Sequence, residues 1–122
     1  MIKRILIVED NALLREMYRS ALKSLGVEIL ETQRGELVVQ IAKTEQPNLI
    51  LLDIVLPDIP GTEVIKQLKQ NPTTANIPVL AVTNAATARD EATLKAMGFV
   101  GLVSKPIDLR KFPQTIATLL GS

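Results

Sequence analysis

The stretch ILIVEDN, residues 5–11, decides the start of the fold and raises the main question about the site. Four apolar residues, three of them β-branched, run directly into two acids and an amide. An unbroken apolar run of this length is typical of a strand that is covered on both faces, as in a parallel sheet. The stretch LILLD, residues 49–53, repeats the pattern and ends on Asp53. Buried strands that finish twice on negative charge indicate a functional site at their ends.

Strand and helix patterns alternate along the rest of the chain. Apolar runs predict strands at residues 5–8, 27–30, 49–52, 79–82 and, more weakly, 101–104. Apolar residues three or four apart predict helices at 13–25, 36–45, 62–70, 87–97 and, last, around Leu109, Phe112, Ile116 and Leu119. Such alternation is typical of βαβ units, so we predict an α/β fold whose parallel sheet carries helices on both faces.

Apolar spacing also predicts which side of the first two helices is buried, because a helix on a sheet turns one apolar stripe inward. In the first helix the predicted inward residues recur every four positions, at Leu13, Met17, Ala21 and Leu25. In the second helix the predicted inward residues are Leu37, Ile41 and Ala42.

Capping signals predict where several helices begin. Asn11 is a suitable cap for the first helix. Thr87 and Asp90 have the spacing of a capping box at the fourth helix. If Asp108 caps the last helix, Pro113 falls past its first turn, so we expect that helix to begin late or irregularly.

The composition describes an ordinary globular chain and excludes several classes of function. Apolar residues make up 47% of the 122 residues and aromatic residues only 2%, which predicts one domain, residues 1–122, with an aliphatic core. The formal charge of +1, without clusters of Lys or Arg, argues against direct binding of nucleic acid. The absence of Cys and His excludes disulfides, zinc sites of the usual kind and Ser-His-Asp catalysis.

The sequence carries no signal for a membrane. No apolar run approaches the roughly 18 residues of a spanning helix. The N-terminus also lacks the pattern of a signal peptide. We therefore expect a cytoplasmic protein without membrane insertion.

Three acids follow the first and third predicted strands. In an open α/β sheet, sites form at the carboxyl ends of strands, near the point where strand order reverses. If these two strands are neighbours, Glu9, Asp10 and Asp53 converge and repel one another. A hard divalent cation relieves that repulsion, and Mg²⁺ suits a site with few protein ligands and several waters.

A hydroxyl and an ammonium follow two further strands. Thr83 comes after VLAV and Lys105 after LVS. Beside a metal ion, Lys105 would neutralise a phosphoryl group and Thr83 would hydrogen-bond one of its oxygens. Asp53 is then the natural nucleophile, since a carboxylate can form an acyl phosphate.

Each of these residues has a simpler explanation when it is taken alone. Asp10 could cap a helix, Thr83 could belong to a turn, and Lys105 could be a solvated charge. Asp53 is harder to explain in this way, because an acid directly after a fully apolar strand needs a partner. Four strand ends with complementary chemistry are together better explained by a phosphoryl site.

The whole pattern closely resembles the receiver domain of bacterial two-component response regulators. The resemblance covers residues 3–120 and is carried by ILIVEDN (5–11), LILLDIVLPDIPG (49–61), VLAVTN (79–84) and GFVGLVSKP (98–106). It implies a flavodoxin-like fold, with a five-stranded parallel sheet in the order 2-1-3-4-5 and five helices.

The resemblance also implies roles for individual residues. Asp53 is the implied phosphoacceptor. Asp10, Asp53 and the backbone carbonyl of Val55 are the implied direct ligands of Mg²⁺, and Glu9 is implied to act chiefly through water. Thr83 and Lys105 are the implied contacts of the phosphoryl group. The bond between Lys105 and Pro106 is expected to be cis.

Four positions depart from the commonest pattern of the family. The first acid is Glu9, a frequent substitute for Asp. Leu102 stands where an aromatic residue usually turns inward as Thr83 moves, which puts the aromatic part of the switch in doubt. Because Leu102 lacks a ring, switching should depend more on Thr83 and on the loop from Asn84 to Ala86. Asn84 replaces the small residue that usually follows the Thr, which should alter the packing of that loop. Pro60 precedes Gly61 and should stiffen the loop after the third strand.

The resemblance implies a single-domain regulator rather than an enzyme, one that assists only its own phosphotransfer and dephosphorylation. A sensor histidine kinase or a histidine phosphotransfer protein would donate the phosphoryl group. A downstream target protein would bind through residues 87–120. Met1 favours a stand-alone protein, and a receiver excised from a longer chain stays open.

Three other functions fit the same architecture. A flavin or nucleotide binder needs a Gly-rich phosphate loop after the first strand, but VEDNALLRE, residues 8–16, is acidic and has no Gly. A phosphatase with an aspartyl nucleophile needs a second acid two residues later, where this chain has Val55. A receiver-like scaffold that acts without phosphorylation stays open.

Overall fold

The computed structural model describes residues 2–84 and 88–121. The strands within them are β1 (Arg4–Val8), β2 (Glu28–Thr32), β3 (Leu49–Asp53), β4 (Val79–Asn84) and β5 (Gly101–Lys105). The α-helices are α1 (Ala12–Leu22), α2 (Val38–Glu45), α3 (Gly61–Gln70), α4 (Ala88–Ala96) and α5 (Phe112–Leu119). Short 3-10 turns, Lys23–Leu25 and Gly35–Leu37, follow α1 and precede α2.

The strands form one parallel sheet in the order β2-β1-β3-β4-β5. This confirms the predicted α/β class and strand order. The order reverses direction between β1 and β3, which are direct neighbours. Their carboxyl ends therefore lie side by side at the place where this kind of sheet forms its sites.

Two hydrophobic cores lie on opposite faces of the sheet, because successive strand residues point to opposite sides. One core joins Leu6, Ile50 and their like-facing neighbours to α2, α3 and α4. The other joins Ile5 and Leu49 to α1 and α5. The middle strand β3 is buried at every position, which explains its unbroken apolar sequence.

The few aromatic residues all lie in these cores, so the rest of the packing is aliphatic, as predicted. Tyr18, Phe99 and Phe112 are each buried. The rings of Tyr18 and Phe112 lie 5.7 Å apart, where α1 meets α5. This contact fixes how α1 is rotated against the sheet.

The predicted inward stripe of α1 is wrong in its first half, whereas Ala21 and Leu25, its second half, are partly buried and pack against the core. Leu13 and Met17 are 63% and 37% exposed, whereas Tyr18 and Leu22 are buried. A strict four-residue repeat drifts around a helix that has 3.6 residues per turn. The large ring of Tyr18 has more apolar area to bury than Met17 and directs its own row toward the sheet.

The inward face of the second helix is wrong at one residue. Leu37 is 44% exposed and belongs to the 3-10 turn before α2. Val38 and Ala42 are buried, and Ile41 is half-buried as expected on that side. The turn changes the rotation of the chain by tightening it to three residues per turn, so the apolar row starts one residue later.

Other boundaries differ by a few residues. The helix predicted at 13–25 ends at Leu22 and continues as a 3-10 turn, and β2 lies slightly later than predicted. Asn11 caps α1 as predicted, since its side chain accepts a hydrogen bond from the Leu14 amide (3.1 Å). Thr87, half of the predicted capping box, lies outside the described residues.

The last helix begins late, as expected from Pro113. Its first residue is Phe112, so Pro113 falls in the first turn, where a missing amide hydrogen costs no helical bond. The Asp108 backbone carbonyl accepts hydrogen bonds from the amides of Lys111 (3.1 Å) and Phe112 (3.0 Å), which form the irregular start of the helix.

The Lys105–Pro106 bond is cis, as expected. Within the described residues, every helix is too short or too polar to cross a bilayer.

The rotation of α1 can be tested by one substitution made at two positions. Leu22→Ala should lower the free energy of unfolding by about 2–5 kcal/mol, because it leaves a cavity in the core. Leu13→Ala, in the same helix, should change it by less than about 0.5 kcal/mol, because Leu13 is mostly in solvent. Urea unfolding measures both values, and equal losses would contradict this placement of the helix.

Candidate functional site

The register of the sheet brings three carboxylates together. Val8 is paired with Leu52, so Glu9 and Asp53 follow neighbouring positions at the ends of β1 and β3. The Glu9 amide continues the sheet by donating to the Thr32 carbonyl (3.1 Å). Carboxylate oxygens of Glu9, Asp10 and Asp53 all lie within 4.8 Å of one another. The structure therefore confirms that the three acids lie close together, as predicted.

The Lys105 ammonium joins two of these acids from the far side of β4. Its Nζ lies 2.6 Å from Asp53 Oδ2 and 2.9 Å from Glu9 Oε1. Glu9 and Asp53 are only 2% and 3% exposed, so these ion pairs are poorly screened by water. The structure therefore brings Lys105 into the acidic site, as the sequence predicted.

Backbone amides bind the other oxygens of the buried acids. Asp53 Oδ1 accepts a hydrogen bond from the Val55 amide (3.0 Å), and Glu9 Oε2 accepts one from the Asn11 amide (3.0 Å). Glu9 Oε1 is fully buried and, among the described residues, has only its ion pair with Lys105 and no hydrogen bond of good geometry. That oxygen has spare capacity to accept.

The electrostatics of the site follow from this burial. Burial raises the pKa of the Glu9 carboxyl to about 7 and Asp53 adds to the rise, although the Asn11 amide and Lys105 oppose it. Burial lowers the pKa of the Lys105 ammonium, but its bonds to Asp53 and Glu9 outweigh burial and leave that pKa above its ordinary value. Three carboxylates face one ammonium, so the site has an excess of negative charge.

Two of the predicted site residues lie beside this cluster without bonding to its carboxylates through their side chains. Thr83 is half-buried in β4, one residue beyond the Val82 that is paired with Asp53. Its hydroxyl donates to the Asn84 carbonyl (3.4 Å). The Val55 side chain is 69% exposed, and its backbone amide faces Asp53. The assigned roles of Thr83 and of the Val55 carbonyl stay predictions.

The loop between β3 and α3 is closed by a hydrogen bond between its ends and held by Asp58 within it. The Gly61 amide donates to the Ile54 carbonyl (2.7 Å), and a Cβ at Gly61 would lie 2.7 Å from the Asp53 carbonyl oxygen. The Asp58 carboxylate accepts from the amides of Gly35 (3.0 Å) and Glu36 (2.8 Å). Neither contact was predicted from the sequence, although a Gly at the first residue of a helix is a signal for close approach.

A further residue at the site was not predicted. The Arg15 guanidinium donates to the backbone carbonyls of Glu9 (2.7 Å) and Asp10 (3.2 Å). The available signal was an Arg on α1 within two turns of an acid pair, which by itself is too common to indicate a role.

Three of the residues that depart from the family pattern lie on the sheet or in the loops next to it. Leu102 is half-buried and packs against the core formed with α2, α3 and α4. Asn84 is exposed at the end of β4, and residues 85–87 lie outside the described part of the chain. Pro60 has an extended conformation immediately before α3.

Comparison with known proteins gives a consistent result. Residues 5–117 match the family model of the response regulator receiver domain. The polar-differentiation response regulator DivK of Brucella ovis is 39% identical over 121 residues, covering 99% of this chain and 98% of that protein. A response regulator structure from Desulfuromonas acetoxidans is 33% identical, covers 98% and 97% of the two chains and has a TM-score of 0.87.

A second similar structure shows the same fold at lower identity. The receiver domain of the sensor histidine kinase PA1611 from Pseudomonas aeruginosa is 24% identical, with full coverage of both chains and a TM-score of 0.87. That protein holds a magnesium ion in its active-site cleft. On the family match and the identity to DivK, the chain belongs to the response regulator receiver domains, the signalling modules of two-component systems.

Proposed function

We propose that residues 1–122 form one receiver domain that accepts a phosphoryl group on Asp53. The donor is the phosphohistidine of a sensor histidine kinase or of a histidine phosphotransfer protein. The observation that carries the proposal is the environment of the Asp53 carboxylate. It is buried at the end of β3, and its oxygens face the Lys105 ammonium (2.6 Å) and the Val55 amide (3.0 Å).

The chemistry follows from these groups. A carboxylate oxygen of Asp53 attacks phosphorus, the bond from phosphorus to the donor histidine nitrogen breaks, and that nitrogen keeps the electron pair. Lys105 neutralises charge on the phosphoryl oxygens, and the Thr83 hydroxyl, one strand away, can donate to one of them. The burial of Asp53 restricts the access of bulk water to the acyl phosphate.

The residues present fit a hard divalent cation. Carboxylate oxygens of Glu9, Asp10 and Asp53 lie within 4.8 Å of one another, and the Glu9 Oε1 atom is buried with spare accepting capacity. The Val55 carbonyl, two residues after Asp53, is the remaining proposed ligand. We propose that the ion is Mg²⁺, as in the PA1611 receiver domain. When bound, Mg²⁺ supplies positive charge beside the phosphoryl group.

The proposed output is a change in a surface for protein binding. A groove of about 730 Å³ lies between α4, β5 and α5, with Leu102 and Leu119 on its apolar side and Lys95 and Arg110 among its charged residues. A new phosphoryl charge at the ends of β3 and β4 can bias this surface only if a target protein binds the two states differently. On this proposal the chain is a regulator that assists only its own phosphotransfer and dephosphorylation.

Asp53→Asn should abolish phosphorylation. Incubation with acetyl phosphate and Mg²⁺ should add the mass of one phosphoryl group to the wild type, and the amide of the variant should take up none, because it lacks a nucleophilic oxygen. Asp108→Asn, which changes an exposed aspartate outside the site, is the matched control and should be modified like the wild type. Intact-mass measurement with mapping of the modified peptide checks this. Stoichiometric modification of Asp53→Asn would overturn the assignment and favour a scaffold that acts without phosphorylation.

Mg²⁺ should stabilise the folded protein by relieving repulsion among the acids. At a hundredfold excess over its Kd, a ligand of the folded state adds about 2.7 kcal/mol to the free energy of unfolding. Asp10→Asn should raise the metal-free Tm by a few degrees and should lose most of the rise in Tm on adding Mg²⁺. Glu16→Gln, at an exposed acid on α1, removes the same charge and should keep the full response.

Thermal melts with and without Mg²⁺ measure both effects. If Mg²⁺ raises the Tm of Asp10→Asn as much as that of Glu16→Gln, the three acids are not its site.

A further inference from the structure

The acid pair at the end of β1 is fixed through its backbone by one arginine. The Arg15 Nη1 atom lies 2.7 Å from the Glu9 carbonyl oxygen and 3.2 Å from the Asp10 carbonyl oxygen. Both acids are proposed metal ligands, and Arg15 contacts their main-chain carbonyls rather than their carboxylates. Arg15 therefore occupies none of the carboxylate oxygens while it restricts the turn that carries them.

The Arg15 side chain is itself held in place. It lies on α1, and its Nε faces Glu31 Oε1 of β2 at 3.4 Å, with only 19% of the side chain exposed. Glu31 Oε2 also pairs with Arg19, one turn further along α1, at 2.5 Å. A guanidinium with several fixed partners loses less freedom on binding than an exposed lysine would. The two carbonyls are thus tied to both α1 and the edge strand.

We propose that Arg15 is a positioning residue for the metal site. It holds the turn of Glu9 and Asp10 in the geometry that a divalent cation needs, and it does so against the repulsion of the acids. The inference rests on the proposed function, in which these acids bind Mg²⁺. Groups that orient the ligands of a metal commonly change its affinity by about 10- to 100-fold when they are removed.

The direction in which Mg²⁺ affinity changes when Arg15 is removed distinguishes a positioning role from a purely electrostatic one. Arg15 is a cation close to a cation site, so by Coulomb's law alone its removal should tighten Mg²⁺ binding, by roughly fivefold or less at physiological salt. If Arg15 positions the turn, its removal should weaken binding instead. Arg19 offers a matched control, because it pairs with the same Glu31 and has the same charge but makes no hydrogen bond to either carbonyl among those described.

The test is a Mg²⁺ titration of the wild type, Arg15→Gln and Arg19→Gln, followed by NMR. The Asn11 amide is a suitable reporter, because it donates directly to Glu9 Oε2 (3.0 Å). We expect Arg15→Gln to raise the Kd for Mg²⁺ by at least about tenfold. Arg19→Gln should leave it unchanged or lower it. Thermal melts of the metal-free variants show whether both remain folded.

Equal Kd values for the two variants, or tighter binding by Arg15→Gln, would overturn the role of Arg15 and leave the proposed function intact. A wild type whose Asn11 amide does not respond to Mg²⁺ would overturn the metal site itself, and this inference with it. If Arg15→Gln does not fold, Arg15→Lys replaces it. One ammonium cannot reach both carbonyls and Glu31 as the guanidinium fork does, so weaker Mg²⁺ binding is again expected, and wild-type affinity would overturn the proposal.

Discussion

The Lys105 ammonium between Asp53 and Glu9 is the interaction on which the rest of the site depends. Both acids are almost wholly buried, and an unpaired buried carboxylate is strongly destabilising. Lys105 reaches them across β4 at 2.6 and 2.9 Å and compensates part of their charge. Asp10 lies beside these two acids, so the three carboxyl groups together carry more negative charge than Lys105 compensates, which favours a cation. On the proposed function, a phosphoryl group transferred to Asp53 would meet an ammonium that is already in place, so little rearrangement would be needed.

The sheet order makes this contact possible. Because β1 lies beside β3, the acids at the ends of these two strands meet. Because β4 and β5 follow β3 on the same side, Lys105 at the end of β5 reaches back across β4 toward the acids. The close approach at Gly61 and the amide bonds of Asp58 restrict the loop after Asp53. Arg15 restricts the turn after Glu9. The site is thus built from strand ends whose loops are fixed from the outside, which is the arrangement that preorganised charge requires.

The sequence predicted the parts of this structure that depend on local patterns. Unbroken apolar runs located the strands, and the acids, Thr83 and Lys105 were placed correctly at strand ends. The face of α1 was predicted wrongly only at Leu13 and Met17, because apolar spacing alone cannot show that Tyr18, beside Met17, packs against Phe112 and turns inward. Arg15 could not be assigned, because its partners are backbone carbonyls whose positions exist only in the folded turn. Whether Thr83 contacts a phosphoryl group depends on a modified state and stays a prediction.

The most direct test of the Lys105 contact is a double-mutant cycle on the free energy of unfolding, measured without divalent metal. The four proteins are the wild type, Asp53→Asn, Lys105→Met and the double variant. Because the ammonium compensates a buried charge, Lys105→Met should cost at least about 1 kcal/mol more when Asp53 is charged than when residue 53 is Asn. Effects that add to within about 0.5 kcal/mol would show that the two groups are not coupled and would contradict this account.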